Sequence, residues 1–528
     1  MSTASSLQLP LQRRALLTLQ LALVLASSLQ GTATGPSSEF AAEVESNISA
    51  LSAECSPRLS PLRAPGTDFH CQLRWGSGGP SKAADAFGIF EDTIAETSWA
   101  TLRIHGLPRR AESESDGMSD QRMSFAAGFV EGALTVERTW QHRLSYFGAT
   151  FAEKAIAFVE ANDAYVRERI AANSELEPFW AEVKLVWAQL DGLVAGHLAA
   201  CKPGRCLDRR SFLLLNAEED LSNIIHKPFK GALEGWTAEE AAEYTRKTTH
   251  CSAIVRLLPG NSDLLLGHNT WTGYYSMLRV LKEIDLPLFG ARAADSVFPG
   301  YFGALYSGDD FYALSSGLAV QETTNSVYNS STLALISPSS VLTWVRTLVA
   351  NRKADSGPSW ARWFSPENSG TINNQWMVLH LRLFQPGVPP LNGTLIVLEQ
   401  MPGKIVWADE SESLRSRGWS QATTTWNAVS VPLIHTTRIP VPKYFGATHR
   451  RPRMQKGFGG CCVTTTGSTT HCQLLAMQAL TSLGVQRMPS LHATTSCHGI
   501  PPNDEVPSVT PMPSCARQKN AWLCGFRL

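Results

Sequence analysis

Between residues 121 and 200 apolar positions recur at helical steps. Phe179, Val183, Val186, Trp187, Leu190 and Val194 fall three or four residues apart, the spacing of one face of a long α-helix. Asn173 or Ser174 is placed to cap its start, since a short side chain can accept from unpaired backbone N–H groups. The aromatic members of this stripe are read as core. Ahead of it, residues 36–120 are mixed, with loops at Gly76 to Pro80 and along the acidic, Ser-rich stretch from Glu112 to Asp120.

At Cys251 the period changes. Cys251 to Leu258 is apolar and β-prone, Pro259-Gly260-Asn261 signals a turn, and Ser262 to Gly267 returns as a second strand, which predicts a hairpin. Trp271 to Ile284 reads as a helix. Phe302 to Tyr306 and Phe311 to Leu314, joined by a Ser-Gly-Asp-Asp turn, predict another hairpin, followed by a strand at Leu318 to Thr323. Ser339 or Ser340 caps a helix reaching about Lys353. Thr371 to Leu383, Leu395 to Glu399 and Lys404 to Trp407 are strand-like, the last two meeting at Met401-Pro402-Gly403. Antiparallel hairpins packed under helices predict a layered α+β architecture, not the alternation of single strands and helices of a Rossmann fold.

Composition narrows the function. Forty-six Lys and Arg balance 46 Asp and Glu, so no nucleic-acid partner is expected. With 43% hydrophobic and 17% charged residues the chain is too apolar for global disorder. Arg13 and Arg14 precede an apolar run from Ala15 to Ala26 and then small, polar residues up to Gly35, the layout of a secretory signal over residues 1–34. The run is about 12 residues long, against about 20 for a membrane span. The expected mature protein is soluble, lacks a transmembrane anchor, and is secreted or lysosomal. Sequons at Asn47, Asn329 and Asn392 agree with that route. Eleven cysteines is an odd count, so at least one thiol is unpaired or pairs between chains. Cys201 with Cys206, and Cys55 with Cys71, could each close a loop.

Common catalytic signatures are missing: there is no GxSxG elbow, HExxH helix, Walker A loop or CxxC pair. The 13 histidines form no pair at obvious ligand spacing, and neither a metal nor a cofactor is expected. One constellation remains. Thr248-Thr249-His250-Cys251 opens a strand, and His268-Asn269-Thr270-Trp271 returns 17 residues later. If the bond before Cys251 is cut, the new α-amine, with a reference pKa of about 8, can take the thiol proton, so one residue supplies both nucleophile and base. The plainer alternative is a buried structural cysteine.

CSAIVRLLPGNSDLLLGHNTW from Cys251, DDFYALSSGLAVQETT, LTWVRTLVANRKA, NSGTINNQWMV and LEQMPGKIVWAD, with AAGFVEGALT and QLDGL upstream, resemble the phospholipase B-like, or lamina-ancestor, family over roughly residues 85–410. The resemblance implies an N-terminal nucleophile hydrolase: an αββα sandwich of antiparallel sheets between helical layers, made as a precursor that cuts itself between His250 and Cys251. Residues 35–250 would form the N-terminal fragment and 251–410 the nucleophile-bearing core. By resemblance, Asn373 or Asn374 and Thr323 face the nucleophile, and His268 and Trp271 line the same site. The implied activity removes fatty acyl chains from glycerophospholipids. An amidase acting on linear amides or N-acyl compounds, or an inactive lipid- or protein-binding relative, is the alternative. No oligomeric state follows. The resemblance breaks near Ser411 to Arg417. Beyond it, residues 413–528 hold six cysteines and only two acids, Asp504 and Glu505, a composition that fits out-of-frame or intronic translation, or a disordered tail.

Overall fold

Strands β3 (Ala86–Glu91) and β7 (Arg279–Asp285) bury alternate side chains, the signature of a sheet with one face on a core. The computed structural model describes residues 48–57, 69–75, 80–108, 115–148, 152–225, 251–272, 274–325, 327, 330–417, 420–421 and 521–527. The remaining strands are β1 (Ile48–Pro57), β2 (Phe69–Trp75), β4 (Trp99–Gly106), β5 (Cys251–Leu257), β6 (Leu264–Trp271), β8 (Asp295–Tyr301), β9 (Phe311–Leu314), β10 (Leu318–Thr324), β11 (Asn374–His380), β12 (Leu395–Met401), β13 (Lys404–Asp409), β14 (Ser420–Gln421) and β15 (Ala521–Arg527). The helices are α1 (Ile94–Thr97), α2 (Asp116–Leu134), α3 (Val136–Phe147), α4 (Glu153–Asn173), α5 (Pro178–Ala200), α6 (Arg209–Asn216), α7 (Glu218–Ile225), α8 (Ser330–Leu333), α9 (Thr343–Lys353), α10 (Gly357–Phe364) and α11 (Ser411–Arg417).

Eleven strands form one sheet, in the order β13-β12-β11-β10-β9-β8-β7-β4-β3-β1-β2, and four form another, β14-β5-β6-β15. The large sheet is not purely antiparallel as expected, because β4 and β7 pair in parallel from Trp99↔Arg279 to His105↔Asp285. One face of it carries Leu102, Val320, Trp376 and Leu398, packed with Phe125 and Val130 of α2, Leu185 of α5, and Trp360 and Phe364 of α10. On the other face Ala319, Met377, Leu379, Leu395 and Val397 meet Ala253, Val255, Leu257, Leu264 and Leu266 of the small sheet, with Leu414 of α11. Among the described residues the layers therefore run helices, large sheet, small sheet.

The apolar stripe of α5 is buried as its spacing requires. The long helix starts at Pro178, though, with Glu177 as cap residue and no side-chain cap, while Asn173 ends α4 and donates to the Arg169 carbonyl at 3.0 Å. Proline, with no N–H to satisfy, suits a first helical position. Likewise α9 starts after Leu342, and Ser340 donates to the Ser337 carbonyl. Helix α2 begins inside the stretch read as a loop, because Ser115 caps it by accepting from the Met118 amide at 3.3 Å.

Trp271 to Ile284 is not a helix. Trp271 ends β6, and the following apolar run enters the sheet as β7 between β4 and β8. Pairing partners on both sides outweigh local helix propensity. Lys282 is buried there because Glu131 of α2 pairs with it at 2.6 Å. The hairpin expected at Phe302 to Tyr306 is formed instead by β8, which begins seven residues earlier at Asp295, and Leu305 and Tyr306 turn into the helical core. Both proposed disulfides are present: Cys55 stands opposite Cys71 in the β1–β2 register, and Cys201 joins Cys206 just beyond α5.

The AAGFVEGALT and QLDGL segments form the crossing of α2 and α5. A Cβ on Gly128 would lie 1.9 Å from the Gln189 carbonyl oxygen, and one on Gly192 would lie 1.9 Å from that of Phe125. The helices touch backbone to backbone, so neither position tolerates a side chain. Gly128→Ala should therefore lower unfolding stability by about 3 kcal/mol or more. Gly117→Ala, with nothing within 4 Å, should be neutral or raise it by about 0.5 kcal/mol. Equal denaturation midpoints for the two variants would refute the backbone contact.

Candidate active site

Pairing of β5 with β6 sets Cys251 opposite Thr270 and Ala253 opposite His268. Period two puts Cys251, Ala253, Val255 and Leu257 on one face with Leu264, Leu266, His268 and Thr270, and all eight are buried. Aliphatic at one end, this face ends in a thiol, an imidazole and a hydroxyl. Gln321 of β10 holds the sheets in place by donating to the Ile254 carbonyl at 3.2 Å. The next residue, Glu322, reaches His268: Nε2 lies 3.0 Å from its carbonyl oxygen and 3.8 Å from Oε1. Thr270 Oγ1 stands 3.5 Å from Nδ1 of the same ring. The Cys251 sulfur, a His268 ring nitrogen and a Glu322 carboxylate oxygen all lie within 4.8 Å of one another. Sulfur, imidazole and carboxylate can serve acyl transfer, and they are also donors that divalent zinc accepts.

Thr323 is buried beside Glu322 and pairs with Gln375, and Asn374 pairs with Thr324. The Asn374 amide donates to Asp310 at 3.2 Å and that of Asn373 to the Gly370 carbonyl at 2.7 Å. Both asparagines are thus at the end of β11 beside the end of β10, each with one donor bond made. Just before them Ile372 has φ +47°, a conformation that costs a β-branched residue dearly. Its amide donates to Asn223 of α7 at 2.9 Å, and Gln400 donates to its carbonyl at 3.1 Å. Asp220 of α7 accepts from the Thr343 amide and the Thr371 hydroxyl, and Arg346 fixes Gln400 through a 2.7 Å bond to Oε1. Helix α7 and strand β12 together hold the bend that presents Asn373 and Asn374.

Of the residues singled out from sequence, the fold brings together Cys251 and His268, with Thr323 adjoining. Trp271 ends β6, its backbone opposite Ala521 of β15, and its side chain lies outside the described residues. His250, residues 1–34, Asn47 and Asn329 lie outside them too. Asn392 is exposed and accepts from Arg415 at 2.8 Å. Sequence reasoning missed Glu322, Thr270 and the acids of α7. Glu322 stood inside the QETT segment, one place before the residue chosen. The Glu218-Glu219-Asp220 run interrupts an otherwise apolar stretch, a pattern that signals buried charge.

Burial leaves these acids reluctant to ionise. It raises Glu219 to about 7, helped by repulsion from Glu322 and Asp220. Asp220 rises to about 6 through burial, against the bonds from Thr371 and Thr343. Asp310 is pushed well above the usual carboxylate range by burial and then by Glu322, Glu219 and Asp220. Below about pH 4 the folded and unfolded chains both keep these protons, whereas above it the unfolded chain loses them first. Their contribution to stability is thus full in acid and is lost as pH rises through 6 to 7. The thermal midpoint should fall between about pH 5 and pH 8. Asp220→Asn, which keeps the Oδ1 acceptor, should flatten that slope and lie above wild type at the alkaline end. An unaltered slope would show that Asp220 does not carry the effect.

A family model described as Phospholipase B matches residues 86–432, so the match continues past the break near 410 expected from sequence. The chain is 36% identical over 341 residues to phospholipase B-like protein B of Dictyostelium discoideum, covering 62% of this chain and 58% of that protein. It is 34% identical over 353 residues to phospholipase B of Crotalus adamanteus, covering 64% and 62%. Against phospholipase B-like 1 of Homo sapiens it is 34% identical over 356 residues, covering 64% and 61%. The chain spans about three fifths of the length of these curated relatives.

Proposed function

The chain belongs to the phospholipase B family, and on that premise we propose that it is a hydrolase that removes fatty acyl chains from glycerophospholipids, with Cys251 as an N-terminal nucleophile exposed by self-cleavage. The observation that carries this reading is the position of Cys251: a buried thiol at the first residue of a core strand, with an imidazole and a carboxylate within 4.8 Å.

In the precursor the thiol attacks the carbonyl carbon of residue 250. The peptide C–N bond breaks in an N-to-S shift, the Cys251 nitrogen leaves as the α-amine, and water hydrolyses the thioester. The amine then takes the thiol proton for turnover. The thiolate attacks the substrate acyl carbonyl, the alcohol leaves with that proton, and water releases the fatty acid. Charge building on the acyl oxygen needs fixed donors. The Asn373 and Asn374 amides each retain a second hydrogen beyond the bonds already made, and the Thr323 hydroxyl adjoins. His268 lines the acyl side and orients the amine.

The two disulfides among the described residues join cysteines ahead of the cut, and among those residues packing holds the two pieces: the β4–β7 pairing, the Lys282–Glu131 pair and the grip of α7 on the Ile372 bend. Disulfides fit an oxidising compartment, the exposed Asn392 fits a glycosylation site, and no helix among the described residues is long and apolar enough to cross a membrane. These support a secreted or lysosomal location.

Cys251→Ala should leave the chain uncut and inactive, and Cys251→Ser should cut more slowly, as read by intact mass and N-terminal sequencing. Native chromatography should keep the fragments together, and denaturing gels without reductant should separate them. A chain starting elsewhere than Cys251 in active material would sink the mechanism. Release of acid from an N-acyl amide but not from phospholipid would move the protein to the amidases.

A further inference from the structure

Three donors from three strands converge where the apolar face of the small sheet ends. The Cys251 sulfur, the His268 nitrogen and the Glu322 oxygen span at most 4.8 Å. A tetrahedral zinc ion, with bonds of about 2.3 Å to sulfur and about 2.0–2.2 Å to nitrogen and oxygen, sets such donors about 3.3–3.6 Å apart. The His268 Nε2 to Glu322 Oε1 separation is already 3.8 Å, so side-chain rotation closes the rest. In the free site Nε2 lies 3.0 Å from the Glu322 carbonyl oxygen, which can only accept, so the ring proton sits on Nε2. Ion binding moves that proton to Nδ1, where Thr270 Oγ1 at 3.5 Å can accept it, as outer partners of metal-bound histidines do. The surroundings favour a cation. Glu322 Oε2 is buried without a hydrogen-bond partner, and the charged groups that act on neighbouring Asp310 are the carboxylates of Glu322, Glu219 and Asp220.

We propose that Cys251, His268 and Glu322 form a site for one thiophilic divalent cation, zinc above all, whose binding silences the thiol. On binding, the S–H proton goes to solvent, a sulfur–metal bond forms, and the lone pair needed for attack is engaged. A fourth position stays open to water. Binding itself follows from the donor geometry alone, and only its inhibitory consequence rests on Cys251 being the nucleophile.

Cobalt(II) chloride titrated into the purified full-length chain, with a phosphine reductant, tests this by absorbance. One equivalent should give a thiolate-to-cobalt charge-transfer band that zinc then abolishes. The band should vanish in Cys251→Ser and survive in a Cys461→Ser/Cys462→Ser control. Glu322→Gln and His268→Asn should each weaken binding at least about tenfold. No such band, a band undiminished in Cys251→Ser, or variants at positions 268 and 322 that titrate like wild type would overturn the site. Zinc should also stop self-cleavage, and a chelator should restore it. A chain that binds cobalt in this way but never cuts itself keeps the site and loses the nucleophile, so the two readings fail separately.

Discussion

The register of one hairpin controls the chemistry of the molecule. Because β5 and β6 lay the same face on β10–β12, a slip of one residue would turn Cys251, His268 and Thr270 away from Glu322 and bring Ile254 and Leu265 inward in their place. Five aliphatic side chains of this hairpin, interlocked with Met377, Leu379 and Val397, hold it against such a slip. Dry packing along most of the face thus fixes the polar cluster at its end, where the thiol sits in a setting that water does not level.

Burial around that cluster runs against electrostatics. Burial keeps protons on Glu219, Asp220 and Asp310 that they would otherwise lose, and repulsion from neighbouring carboxylates, Glu322 among them, adds to it at Glu219 and Asp310. Asp220 nonetheless anchors two segments, and Arg346 and Gln400 complete the network that bends the chain at Ile372. A β-branched residue at positive φ survives because its amide and carbonyl are both claimed by side chains from other elements. The energy held in that bend is spent on the position of the two asparagines that follow.

Much of this was legible in the sequence, and what was not has physical causes. The α5 stripe, the strand that starts at Cys251 and the return that brings His268 back depend on local periodicity and a short turn, which a single chain displays openly. The β7 segment was misread because Val280, Lys282 and Ile284 acquire partners only from β4 and β8, and β4 lies more than 170 residues earlier. Lys282 in a strand core looks wrong until Glu131 arrives from α2. Cap positions failed where proline or plain backbone geometry replaced a side-chain oxygen. Glu322 escaped notice because its distance from His268 is spatial and not sequential. The family motifs marked the right segments without distinguishing roles within them: the glycines of AAGFVEGALT and QLDGL mark a helix crossing, not a site.

The parallel pairing of β4 with β7 has a kinetic side. Were the bond before Cys251 cut, the central seam of the large sheet would join two separate polypeptides with no covalent tether between them. Unfolding would then become dissociation, and recovery would depend on the concentration of both pieces, on a bimolecular encounter, and on strands finding partners across chains. Such an assembly endures by unfolding slowly and has little prospect of re-forming once dispersed.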